Sequence, residues 1–248
     1  MSASRLGLVS ISFRALEAEE LIRRCREVGL SKIEWGSDVH APQNDLKKLK
    51  SIVTLQEQNG ISCSSYGTYF KLGVHTLDEL PSYIEAAKLL KTDILRIWGG
   101  NKNYTDMNES ERAFILEEGK KAATIAEKAG VTLCLECHND TVTNCLDGAR
   151  FIMNGVDSEA FRMYWQPNQY SSIEENLAYA EWVAPYTKVI HVFNWREKDR
   201  FPLSDAIDQW KHYLSLFDGT QSLLLEFMPK NTPEELKEEA EALFKLVQ

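Results

Sequence analysis

Short apolar runs alternate with longer amphipathic stretches along the whole chain, the pattern of buried strands separated by surface helices. Eight runs predict strands: Leu6–Ile11, Lys32–Gly36, Ile61–Tyr66, Ile94–Trp98, Val131–Cys137, Phe161–Trp165, Lys188–Phe193 and Leu223–Phe227. Helical spacing follows each, over Ala15–Val28, Leu46–Asn59, Leu77–Leu90, Ser110–Ala129, Leu146–Met153, Glu174–Val183, Asp205–Phe217 and Pro233–Val247. The joints carry matching punctuation. Gly29, Gly60 and Gly130 fall just past helix ends, where a left-handed residue is wanted. Thr232, Pro233, Glu234 and Glu235 read as a capped helix start.

Regular βα alternation implies a parallel sheet. Eight units in 248 residues, about 31 each, predict a closed (β/α)8 TIM barrel formed by one domain spanning 1–248. An open doubly wound sheet is the structural alternative. It would place a Gly-rich phosphate turn after the first strand, and Ser10-Ile11-Ser12-Phe13-Arg14 contains no glycine.

Composition changes this picture by exclusion. Hydrophobic residues are 44% and charged residues 26% of the chain, as in ordinary globular proteins. No apolar run approaches the ~18–20 residues of a membrane span. The first residues, Met1-Ser2-Ala3-Ser4-Arg5, do not open a secretory h-region. A cytoplasmic location is the expectation, with no membrane partner. The net charge of −9 argues against a nucleic-acid partner, which normally meets a basic footprint. Five cysteines, an odd number, fit free thiols in a reducing compartment.

In such a barrel the reactive groups lie at the carboxyl ends of the strands, and inward residues alternate with outward ones. On the fifth strand Glu136 and His138 share a face with Cys134, while Cys137 points the other way, so Cys134-x-x-Cys137 is not a redox pair. His191 interrupts the seventh strand, Glu226 the eighth, and Gln166 ends the sixth. Charged groups are rarely buried unless paired or bound to metal. Two carboxylates, an imidazole and an amide oxygen on four successive strands make a ligand set for a divalent cation. Arg96, inside the fourth strand, needs a carboxylate, for which Glu34 and Glu136 are the candidates. A structural ion pair and substrate contact are equally open for it. Tyr66, Tyr69, Trp98, Trp165 and Trp195 cluster at strand ends or just beyond, where aromatic rings can stack on sugars or simply pack under loops.

The segments Ile33–Pro42, Ser65–Phe70, Leu95–Gly100, Leu133–His138, Val189–Phe193 and Leu225–Phe227 resemble, in order and spacing, the xylose isomerase-like TIM-barrel superfamily of sugar phosphate isomerases and epimerases. The resemblance covers essentially the whole chain. It implies one divalent ion, Mn²⁺, Mg²⁺, Co²⁺ or Zn²⁺, held by Glu136, Gln166, His191 and Glu226. Gln166 stands where the family most often has Asp, which lowers the charge of the set. Gln169 stands where epimerases often place a His. The implied activity is a sugar or keto-polyol isomerase or epimerase. Glu136 and Glu226 would act as the acid/base pair through an enediolate. His138, Arg96, His40, Glu34, Tyr66, Trp98, Asn168, Trp195 and Arg196 are the expected substrate contacts. A dehydratase or lyase of a keto-cyclitol or keto-sugar on the same site, and a metal-free sugar-binding barrel, are the alternatives. The partner expected is a small carbohydrate, and homo-oligomers are common in the family.

Overall fold

The computed structural model describes residues 3–248. Eight parallel strands close into a barrel: β1 (Leu6–Val9), β2 (Lys32–Gly36), β3 (Ser62–Lys71), β4 (Ile94–Trp98), β5 (Thr132–Glu136), β6 (Phe161–Trp165), β7 (Thr187–Val192) and β8 (Ser222–Leu225). Each strand neighbours its sequence successor, and β8 pairs with β1 through Leu6 and Leu223. The helices are α1 (Ala18–Glu27), α2 (Leu46–Asn59), α3 (Leu80–Leu89), α4 (Glu109–Ala129), α5 (Leu146–Val156), α6 (Ile173–Val183), α7 (Ile207–Leu214) and α8 (Leu236–Lys245). A two-residue-per-arm ribbon, Trp195–Arg196 against Asp199–Arg200, stands on the loop after β7.

Two apolar regions result from the alternation along each strand. Outward residues such as Ile33, Trp35, Leu133 and Trp165 join the helices in one large core. Inward residues Val9, Ile11, Cys134, Tyr164, Val189 and Leu224 fill the barrel itself. Cys134 and Cys137 thus fall in different clusters, and burial pushes the Cys137 thiol up to about 12. Gly60 and Gly130 end α2 and α4 in the left-handed region, at φ 67° and 68°. Thr232 takes the expected N-cap position, and it forms a capping box with Glu235.

Most elements shift by a few residues from their sequence-predicted bounds, and three of the differences change the local structure. β1 stops at Val9, and Ser10–Phe13 turns into a 3₁₀ segment beneath the mouth. β3 runs on to Lys71, whose partner is Trp98. α5 continues through Asn154 and Gly155 to Val156. A Cβ on Gly155 would lie 2.5 Å from a Leu116 methyl, so the glycine serves close helix packing rather than termination. No helix among the described residues is long and apolar enough to cross a membrane.

Candidate active site at the carboxyl ends of the strands

Strand parity brings four side chains to one floor. Glu136 is the last residue of β5 and Glu226 the first after β8. His191 is the penultimate residue of β7, and Gln166 follows β6 directly. Donor atoms of Glu136, His191 and Glu226 lie within 4.8 Å of one another, and all three residues are buried. Around His191 Nδ1 stand Gln166 Oε1 at 3.0 Å, Glu136 Oε1 at 3.4 Å and Glu226 Oε2 at 3.4 Å. One ring nitrogen carries at most one proton and cannot satisfy three oxygens at once. A divalent cation can, and this donor set of oxygens with one imidazole suits Mn²⁺, Mg²⁺, Co²⁺ or Zn²⁺.

A second layer of charge lies beneath. Glu34, 0% exposed at the middle of β2, accepts from Arg96 Nε (3.0 Å), from Ser65 Oγ (3.2 Å) and from His191 Nε2 (3.1 Å). Arg96 also donates through Nη1 to Glu136 Oε2, and that same oxygen accepts from Trp98 Nε1. Burial disfavours charge at every one of these groups. Even so, Arg96 and His191 hold the Glu136 carboxyl well below its usual range. His191 and Arg96 lower Glu34 likewise. The carboxylates of Glu226 and Glu34, with hydrogen bonds to Glu136 and Glu226, raise the His191 imidazole well above its ordinary pKa despite burial. Gly67 is required by this packing, because a Cβ there would sit 2.6 Å from Glu34 Oε1.

Above the floor opens a cavity of about 550 Å³. Of the residues the sequence nominated, Arg96, Trp98, Glu136, His138, Gln166, Asn168, Trp195 and Glu226 line it. His138 stacks on Trp98 at 5.3 Å, and its Nδ1 donates to the Asn139 carbonyl at 2.6 Å. Asn168 is braced by donating to Asn139 Oδ1 at 2.9 Å.

Five nominees do not line the cavity: His191 is buried in the floor itself, and four lie elsewhere. Glu34 lies below the floor as described. His40 is buried, with Nδ1 on Ser10 Oγ (3.1 Å) and Nε2 donating to the Leu16 carbonyl (3.0 Å). Desolvation lowers its pKa, so it is a neutral strut for the β1 and β2 loops. Tyr66 faces the outer core, where its hydroxyl donates to the Ala41 carbonyl at 2.6 Å. Arg196 is exposed on the ribbon with its guanidinium over Phe201, and it borders a neighbouring cavity beneath α7. Trp165, outward on β6, packs against Trp210 and Tyr213.

The sequence reading passed over Arg14, Asp140 and Phe227, which line the cavity, and left Tyr69 among several aromatics. Arg14 pairs with Asp38 and donates to the Tyr69 hydroxyl at 2.7 Å. Burial pushes that hydroxyl up to about 12. Arg14 sits just past β1, a signal available from its place, but no strand periodicity reaches it. Phe227 adopts φ 54°, with its N–H donating to Ser12 Oγ at 3.1 Å. A left-handed phenylalanine has no sequence signature.

The chain matches the family model of the xylose isomerase-like TIM barrel over residues 22–246. None of the curated proteins matches it. Among solved structures it resembles the probable 3-DHS dehydratase AsbF of Bacillus anthracis at 16% identity and TM-score 0.82, covering 97% of this chain and 98% of that one. It resembles D-psicose 3-epimerase of Clostridium cellulolyticum H10 at 13% identity and TM-score 0.71, covering 97% of each. A Mycobacterium smegmatis xylose isomerase-like barrel in complex with magnesium aligns at 16% identity and TM-score 0.71, over 99% and 98% of the chains. At these identities the likeness is one of fold.

Proposed function

The chain belongs to the xylose isomerase-like TIM-barrel family, and from that premise we propose a metal-assisted enzyme that moves a proton at a carbon beside a carbonyl in a small polyhydroxylated compound. The observation that carries this reading is the convergence of Glu136, Gln166 and Glu226 on one nitrogen of His191 at the floor of a cavity lined by aromatic and polar groups. A divalent cation held by those four residues would polarise the carbonyl and stabilise the charge left when the proton departs.

The protein's own groups divide the remaining work. Glu226 borders the cavity and, among the described residues, receives no hydrogen bond from a guanidinium or indole, so it is the carboxylate suited to take the proton. Glu136 keeps Oε2 on Arg96 and Trp98, which holds it ionised and fixed. His138 carries its proton on Nδ1, because a carbonyl only accepts, and Nε2 is left to exchange a proton with a substrate hydroxyl. Trp98, Tyr69 and Trp195 offer faces for a sugar-like ring and exclude water.

Isomerisation or epimerisation of a ketose or keto-polyol is the first reading. The pinned state of Glu136 favours a second, elimination of water or of a β-substituent, which needs one base and one acid rather than two bases on opposite faces. One experiment serves both. The protein is incubated in D2O with Mn²⁺ and a panel of ketoses, keto-cyclitols and their acids, and followed by NMR. Deuterium at the α carbon of a rearranged product identifies an isomerase or epimerase. An unsaturated product identifies a dehydratase or lyase. Absence of exchange across the panel with metal bound would sink the proposal.

A further inference from the structure

The sequence nominated Glu34 as a substrate contact, and the structure removes it from the cavity. We infer instead that Glu34 is the positioning carboxylate of the metal centre, fixing His191 in the tautomer that presents Nδ1 and, through Arg96, fixing Glu136 on the opposite wall. The inference rests on the metal reading above and goes beyond it in assigning a residue that touches neither metal nor substrate.

Three observations carry it. The first is the geometry at His191. A carboxylate oxygen accepts only, so the 3.1 Å contact between Glu34 Oε2 and Nε2 places a hydrogen on Nε2. Once a metal ion displaces the second proton, the neutral ring would have its lone pair on Nδ1, the nitrogen facing Gln166, Glu136 and Glu226. A partner on the far ring nitrogen is how metal-binding histidines are oriented in general. The second is that the two oxygens of Glu34 serve opposite sides. Oε2 holds His191 of β7, while Oε1 accepts from Arg96 Nε at 3.0 Å. Arg96 passes the constraint to Glu136 of β5 through Nη1. The third is the space reserved for this carboxylate. Ser65 donates to it, and Gly67 leaves the room that any Cβ would take.

The rival role is a plain structural ion pair that neutralises Arg96. Glu34→Gln separates the two. It keeps the volume, but its single amide oxygen can accept from Arg96 or from His191, not both, and its NH2 faces the other donor. A structural pair would change stability alone. A positioning carboxylate changes metal affinity and the tautomer.

Mn²⁺ binding to the full chain is titrated first, and wild type that binds no divalent ion would overturn the metal reading and this inference with it. With wild type binding, Glu34→Gln is expected to weaken Mn²⁺ affinity about 10–100-fold. An unchanged affinity would refute the positioning role and leave the metal reading standing. Because the variant could fail to fold, the second measurement uses wild type. It is 15N NMR of histidine-labelled protein loaded with Zn²⁺. Nδ1 as the ligating nitrogen and Nε2 as the protonated one are expected for His191. Ligation through Nε2, or an unprotonated Nε2, would overturn the inference.

Discussion

The two halves of the barrel put ionisable groups on the same inward face at different depths. From β5 to β8 they come at or beside the strand ends: Glu136, Gln166 and Glu226 line a cavity, and His191 is buried in the floor between them. On β2 and β4 they come at the strand middles, Glu34 and Arg96, and they pair with each other, only Arg96 also reaching the cavity. Parity decides whether a side chain enters the barrel, and position along the strand decides whether it meets ligand or another side chain. The first half is arranged at some cost in repulsion between carboxylates. The second holds the cation that makes this tolerable.

Removing that cation is the severest way to break the contrast. Arg96→Met leaves Glu34 and Glu136 buried without their guanidinium. An uncompensated buried charge typically costs about 3–5 kcal/mol. Urea unfolding should show a loss of that size, or no soluble folded protein. A loss under about 1 kcal/mol would mean that His191 alone neutralises the floor.

The ligand half should answer differently. Replacing Glu226 by Gln removes one of the carboxylates that face each other across His191. Thermal melting without metal should show unchanged or raised Tm, since groups shaped for binding are commonly held against stability. Saturating Mn²⁺ at about 100 times its Kd should add about 2.7 kcal/mol to wild type, an upward shift of several degrees. That shift should be mostly lost in Glu226→Gln and absent in His191→Ala. Equal shifts in all three would place the ion elsewhere.

Gln166→Asp sharpens the comparison from the other direction. It adds a negative charge to the ligand set 3.0 Å from His191 Nδ1. Mn²⁺ affinity should rise about tenfold by titration calorimetry, about 1.4 kcal/mol. Stability without metal should fall, because the floor gains a third carboxylate. Affinity that stays level would show that Gln166 does not touch the ion.

The same distinction between parity and depth explains what could be read from the sequence. Eight strands and the inward set at the floor follow from period-two alternation and apolar runs, which are local properties. Glu34 has the right parity and the wrong depth, so it was nominated for substrate and is found under the floor. His40 sits in a loop and Tyr66 on an outward face, where neither periodicity nor residue type predicts a partner such as the Leu16 or Ala41 carbonyl. Arg14 and Phe227 reach the cavity through loop conformations, a 3₁₀ turn and a positive φ, that leave no periodic trace.

A carboxylate outside the cavity gives the smallest test, and it isolates the role of the neighbouring cation. Glu239 on α8 is only 7% exposed and accepts from the Leu203 N–H at 3.2 Å through both oxygens. Among the described residues no guanidinium or imidazole stands against it. Burial raises its pKa to about 7, helped by Glu235, Glu238 and Asp205 and opposed by the Leu203 hydrogen bond. Glu34 and Glu136, at least as buried, shift the opposite way because Arg96 and His191 adjoin them. The sign of the linkage follows. Between the ordinary value of 4.5 and about 7, native Glu239 binds more protons than the unfolded chain. Its contribution therefore favours the fold below that window and is lost as pH rises through it. Glu239→Gln keeps an acceptor for Leu203 and cannot ionise. The variant should match wild type near pH 4.5 and melt a few degrees higher at pH 8, with the difference growing across the window. A difference that stays flat with pH would mean that Glu239 is ionised in the native protein, and that burial without a cation does not suffice to hold a carboxyl neutral in this fold.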